Sequence, residues 1–110
     1  MHLKNFLNTA IRGFENMSLK ERKEKIKEAF KDFRTKGIRA KYCESNVWRF
    51  IQEHENSIAY TRYDLEAMER TNSIQFTWKG DGEKIFNILK EHFEIVKWDG
   101  TIFSTMKVKF

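Results

Sequence analysis

Asp99-Gly100 stands between two short runs rich in alternating apolar residues, Phe93 to Trp98 and Ile102 to Phe110. A tight turn of type I′ needs positive φ at both central residues, and Asp-Gly is among the few pairs that accept it. The pair therefore predicts a hairpin, which makes the two runs neighbouring antiparallel strands. A chain carrying such a hairpin has to build a sheet and cover at least one face of it.

The rest of the chain supplies the cover. Leu3, Phe6, Leu7, Ala10, Ile11 and Phe14 recur at helical steps and predict a first helix that ends near Gly13. Ser18 and Glu21 form a capping-box pattern that opens a second helix with the stripe Leu19, Ile26, Ala29, Phe30 and Phe33, stopped by Gly37. Ile38, Ala40 and Tyr42 alternate as a strand. Ser45 is placed to cap a third helix carrying Val47, Trp48, Phe50 and Ile51. Residues 57–62 read as a strand, and Asp64 as the cap of a short helix with Leu65 and Met68 inward. Ile74, Phe76 and Trp78 form another half-buried strand, and Asp81 caps a helix with Ile85, Phe86, Leu89 and Phe93 on its core face.

The expected order is thus α-α-β-α-β-α-β-α-β-β. It describes one α+β domain over residues 1–110. A helical pair (1–36) precedes a sheet region (37–110) with about five strands, mostly antiparallel and covered mainly on one face by helices. With 15% aromatic residues and 40% hydrophobic residues, the chain is not of disordered composition. No apolar run approaches the ~20 residues of a membrane span, and the amphipathic start lacks the continuous apolar stretch of a secretion signal. Cys43 is the single cysteine, so no intrachain disulfide can form, and a reducing, cytoplasmic location is expected. No cofactor, metal or membrane partner is expected.

Charge is the least even property. Residues 18–41 hold ten basic and four acidic side chains, a local excess of +6, against +5 for the whole chain. All of the surplus therefore belongs to the second helix and the strand after it. On a helical projection of ~100° per residue, Lys20, Lys23, Lys27, Lys31 and Arg34 form one stripe roughly 60–140° from the apolar face. Glu21, Glu24, Glu28 and Asp32 fall roughly opposite the core. Such a stripe can meet a phosphate backbone or an acidic protein surface. The same residues also predict ordinary helical ion pairs, Glu21–Lys25, Glu24–Lys27, Glu28–Lys31 and Asp32–Lys36. Four of the five cations are Lys, which suits point-charge attraction rather than bidentate recognition.

Catalytic patterns are weak. Cys43 and His54 are a nucleophile–base pair only if the fold joins them. Three scattered histidines and one cysteine have no zinc-ligand spacing. Lys79-Gly80-Asp81-Gly82 lacks the phosphate-loop pattern. Asp64, Glu66 and Glu69 show no acid–base pairing. The aromatics Tyr42, Trp48, Tyr60, Tyr63, Trp78 and Trp98 could stack bases, but most sit at expected core positions.

Three stretches carry a family resemblance: Ala40-Lys41-Tyr42-Cys43, Tyr60-Thr61-Arg62-Tyr63-Asp64-Leu65-Glu66-Ala67, and Val96-Lys97-Trp98-Asp99-Gly100-Thr101. On these, residues 37–110 resemble a family of small uncharacterised bacterial and phage α+β proteins that end in a Trp-Asp-Gly hairpin. Thr61 stands where that family usually has histidine, and Tyr63 where it has glutamine. The resemblance implies fold and origin, and it suggests a polar cluster around Cys43, Tyr60 and Asp64. It does not reach the basic helix.

The sequence thus leads to a non-enzymatic interaction module with another protein as partner, such as a phage or mobile-element inhibitor of a host system or an immunity-type protein. The alternative is nucleic-acid binding through the basic helix Lys20–Arg34. A small-ligand or enzymatic role near Cys43, Tyr60 and Asp64 comes third.

Overall fold

The computed structural model describes residues 17–102 and 104–110. The expected first helix, Leu3 to Phe14, lies outside the described residues. Helix α1 spans Leu19–Thr35 and strand β1 Arg39–Cys43; α2 spans Val47–Glu53 and β2 Ser57–Thr61. Then come α3 Arg62–Thr71, β3 Ser73–Lys79, α4 Gly82–His92, β4 Ile95–Lys97 and β5 Met106–Lys109. From α1 onward this is the element order expected from sequence.

The strands form one five-stranded sheet in the order β1-β2-β3-β5-β4. Only β1 and β2 are parallel, in register from Arg39↔Ser57 to Cys43↔Thr61. The chain returns from β1 through α2, as a parallel pair requires a long crossover. The other three pairs are antiparallel.

Strand alternation sorts side chains onto two faces. On the first face α1 contributes Ile26, Ala29, Phe30 and Phe33, and α4 contributes Ile85, Ile88 and Leu89. They pack on Ala40, Ile58, Ile74, Phe76, Met106 and Val108, with Met68 of α3 in the same core. On the second face α2 lies over the β1–β2 end and reaches the Lys79 end of β3; Cys43, Val47, Ile51 and Ala59 form a small separate cluster there. Among the described residues, the outward Gln75, Ile95, Lys97, Lys107 and Lys109 of β3, β4 and β5 are exposed.

Local chemistry sets the ends. Gly37, at φ +81°, lets the chain leave α1 for β1. Asn46, not Ser45, caps α2, accepting from the N–H groups of Trp48 (3.1 Å) and Arg49 (3.4 Å). Thr61, not Asp64, caps α3. Asp64 is the third helical residue, and its carboxylate accepts from the Thr61 N–H at 2.7 Å while the Thr61 hydroxyl accepts from the Asp64 N–H. A cap must have extended backbone, and Thr61 closes β2. Asp81 caps α4 as expected. Ser18 caps α1 by accepting from the Glu21 N–H at 3.1 Å; the Glu21 carboxylate meets the serine hydroxyl at 3.2 Å.

The terminal hairpin exists, but its connection is not a two-residue turn. Lys97 pairs with Lys107, and residues 98–105 bridge the strands. Among the described residues there, Gly100 alone takes positive φ (+85°). Asp99 instead spends its carboxylate on the loop, accepting from Thr101 N–H (2.9 Å), Thr101 Oγ1 (2.8 Å) and Ser104 Oγ (2.6 Å). These bonds hold its carboxyl below the usual carboxylate range, Ser104 contributing most. The Trp98 indole donates to the Thr101 carbonyl (2.9 Å), and that of Trp78 to the Ser104 carbonyl (2.8 Å), pinning the loop under the sheet.

Candidate functional site

The cations of α1 divide into two groups. Arg22 is buried, donating from Nε to the Met17 carbonyl (2.9 Å) and from Nη1 to the Met68 carbonyl (3.0 Å). Its guanidinium also lies 5.7 Å from the centre of the Phe110 ring. It ties α1 to the end of α3, a role the sequence pattern does not mark. Lys36 bridges Asp32 (3.1 Å) and Glu91 (3.3 Å) beside α4. Asp32 is not turned away from the core: its Oδ2 meets His92 Nε2 at 2.7 Å across the helix pair. The His92 hydrogen bond first, then that of Lys36, holds the Asp32 carboxyl below its ordinary range.

The other flank of α1 holds Lys20, Lys23, Lys27, Lys31 and Arg34, all exposed. None of the four lysines has an ion-pair partner among the described residues. Of the four helical pairs expected from spacing, only Asp32–Lys36 forms. Arg34 donates from Nη1 to the Ala40 carbonyl at 3.0 Å. That bond fixes the flank over β1, the edge strand of the sheet. Arg34 and Arg39 line one hollow where the chain turns into β1.

Under the flank lies an aromatic stack. Phe30 meets Tyr60 at 5.3 Å, and Tyr60 meets Tyr42 at 5.3 Å. Tyr42 is 37% exposed at the edge, its hydroxyl donating to Glu44 at 2.9 Å. Trp48 (62% exposed) and Tyr63 are also surface residues, against the core placement expected for most of the aromatics, whereas Trp78 is buried. Trp48 is open because α2 has only seven residues and turns just Val47 and Ile51 inward.

Cys43, Tyr60 and Asp64 do not form one cluster. Tyr60 lies on the face covered by α1, and Cys43 on the face covered by α2. Cys43 is the register partner of Thr61, which Asp64 engages in the capping box. Burial pushes the Cys43 thiol up, away from the thiolate a nucleophile needs. His54 lies against the Phe50 ring at 4.8 Å and closes α2. Cys43 does border an open groove of about 690 Å³ with Lys41, Tyr42, Glu44, Arg49 and Phe50.

Among the described residues, no group of three or more His, Cys, Asp or Glu is arranged to hold a metal, and no helix is long and apolar enough to cross a membrane. No protein-family model, curated protein or solved structure matches the chain, and the family resemblance of residues 37–110 gains no support from them.

Proposed function

We propose that this protein is a non-enzymatic interaction module that binds an acidic protein surface along the α1 flank above β1. One observation carries the reading. Lys20, Lys23, Lys27 and Lys31 on one side of α1 form no ion pair among the described residues, although Glu21, Glu24 and Glu28 stand within helical pairing distance in sequence. A helix that served only as a solvated cover would be expected to use those pairs, each stabilising by a few tenths of a kcal/mol. The segregated charge instead gives a field that steers an anionic partner. Tyr42 favours a protein over a phosphate chain, because exposed tyrosine beside a charged rim is typical of interface anchors. The residues that could have carried chemistry are committed elsewhere: Cys43 to a small core, Asp64 and Asp81 to helix caps.

The test is affinity capture from lysate of the source cells at physiological salt, with Lys23→Glu/Lys27→Glu/Lys31→Glu run beside the parent. The reading expects an acidic protein retained by the parent and lost by the variant, with unchanged circular dichroism. Capture of the same proteins by both would contradict it. Duplex nucleic acid on the same flank is the second reading, favoured by the ~21 Å rise over which the cations are strung. Retention of DNA or RNA, and no protein, by the parent alone would favour it.

A further inference from the structure

We infer that the face of β3, β5 and β4 left exposed among the described residues is a second binding surface, and that it takes single-stranded nucleic acid. It is independent of the α1 flank, which lies on the opposite side of the sheet.

Strand register assembles the surface. Lys97 and Lys107 are direct cross-strand partners, and Gln75 is the partner of Lys107 on its other side. Lys109 follows on the same face of β5, two residues along. Lys79 lies on the open face of β3, four residues from Gln75. All four lysines are exposed, and none forms an ion pair among the described residues. The outward positions of these strands are otherwise Ser73, Thr77 and Ile95; no carboxylate stands among them.

Folding alone gives little reason for this arrangement. Like charges directly opposite one another destabilise a sheet. Lysine on an edge strand blunts edge-to-edge aggregation, which accounts for Lys97 on β4. It does not account for Lys107 and Lys109, because β5 lies between β3 and β4. Neighbouring strands are ~4.8 Å apart and alternate residues along a strand ~6.8 Å apart, so Lys97, Lys107 and Lys109 form a compact positive cluster, with Lys79 ~14 Å along β3 from Gln75.

The occupant follows from what else is on the face. A protein interface has an apolar, aromatic centre, and Ile95 is the sole large apolar side chain of this strip. The aromatic element lies at one end instead. Trp48, 62% exposed, lines a groove of about 430 Å³ with Trp78, Ile102 and Lys79. Lys79 thus belongs to both the groove and the lysine strip. A stacking ring beside a row of ammonium groups is the arrangement that holds a single strand: a base lies on the ring and phosphates follow the charge. A duplex hides its bases from such a ring.

The experiment is fluorescence anisotropy of a fluorescein-labelled 12-mer oligothymidylate at 50 and 200 mM salt. The parent should bind, and with three to four phosphate contacts its affinity should drop by about 20- to 50-fold between the two salts. Lys97→Glu/Lys107→Glu and, separately, Trp48→Ala should each weaken binding at least tenfold. Lys109→Glu repeats the charge arm should the double variant misfold. Lys23→Glu/Lys27→Glu/Lys31→Glu should bind as the parent does. No binding at 50 mM salt would overturn the inference. So would equal or tighter binding of a 12-base-pair duplex or of polyglutamate, or loss of binding in the α1 variant alone.

Discussion

Asp32 shows at the scale of one residue how a charge can serve two neighbours. It joins His92 of α4 and Lys36 of its own helix, and its carboxyl sits below the ordinary carboxylate value. A depressed carboxyl stabilises the folded state above its unfolded pKa and loses that effect as pH falls through the folded one. Asp32→Asn should therefore lower the urea midpoint at neutral pH. The gap should close only at acid pH, below the ordinary carboxylate range; a gap constant down to pH 2 would refute the assignment. Gly82 is constrained differently. A Cβ there would stand 2.7 Å from the Trp78 ring and 2.8 Å from that of Trp98. These rings pack edge to face at 5.5 Å and have little room to yield. Gly82→Ala should cost about 1–3 kcal/mol of stability by overpacking, despite the better helix propensity of alanine. An unchanged or raised melting temperature would show that the rings move freely. Neither constraint is legible in sequence, because each depends on which residues the fold brings from other elements.

Elements were more legible than residues. The strands and helices from α1 onward follow from local periodicity, because most have one wet and one dry face; β2 alone among them is buried on both faces, between α1 and α2. Boundaries failed where two side chains competed for one role. Thr61 took the cap expected of Asp64, and Asn46 the one expected of Ser45. The turn at Asp99 failed for a related reason: its carboxylate bonds its own loop, and the strands close farther away. The reciprocal Thr61–Asp64 box predicts that Asp64→Ala will destabilise by about 1 kcal/mol, read from urea unfolding. No change would mean that α3 is held by Met68 and Leu65 alone. Phe33 of α1 is fully buried between helix and sheet, and Phe33→Ala should cost about 3–5 kcal/mol. The basic stripe was visible as a spacing pattern, but the edge it overhangs was not, since the place of β1 in the sheet depends on long-range pairing.

The described residues present two positive surfaces on opposite sides of the sheet: the α1 flank with Tyr42 below it, and the exposed outward residues of β3, β5 and β4. No carboxylate lies among the outward strand residues of the second. Lysine reactivity reports directly on partner binding at the first surface. The protein is treated with an acetylating reagent, alone and bound to its captured partner, and each site is quantified by mass spectrometry. Lys20, Lys23, Lys27 and Lys31 should become at least several-fold less reactive in the complex, while Lys97, Lys107 and Lys109 keep their reactivity. Unchanged α1 lysines in a complex that shields another surface would contradict it.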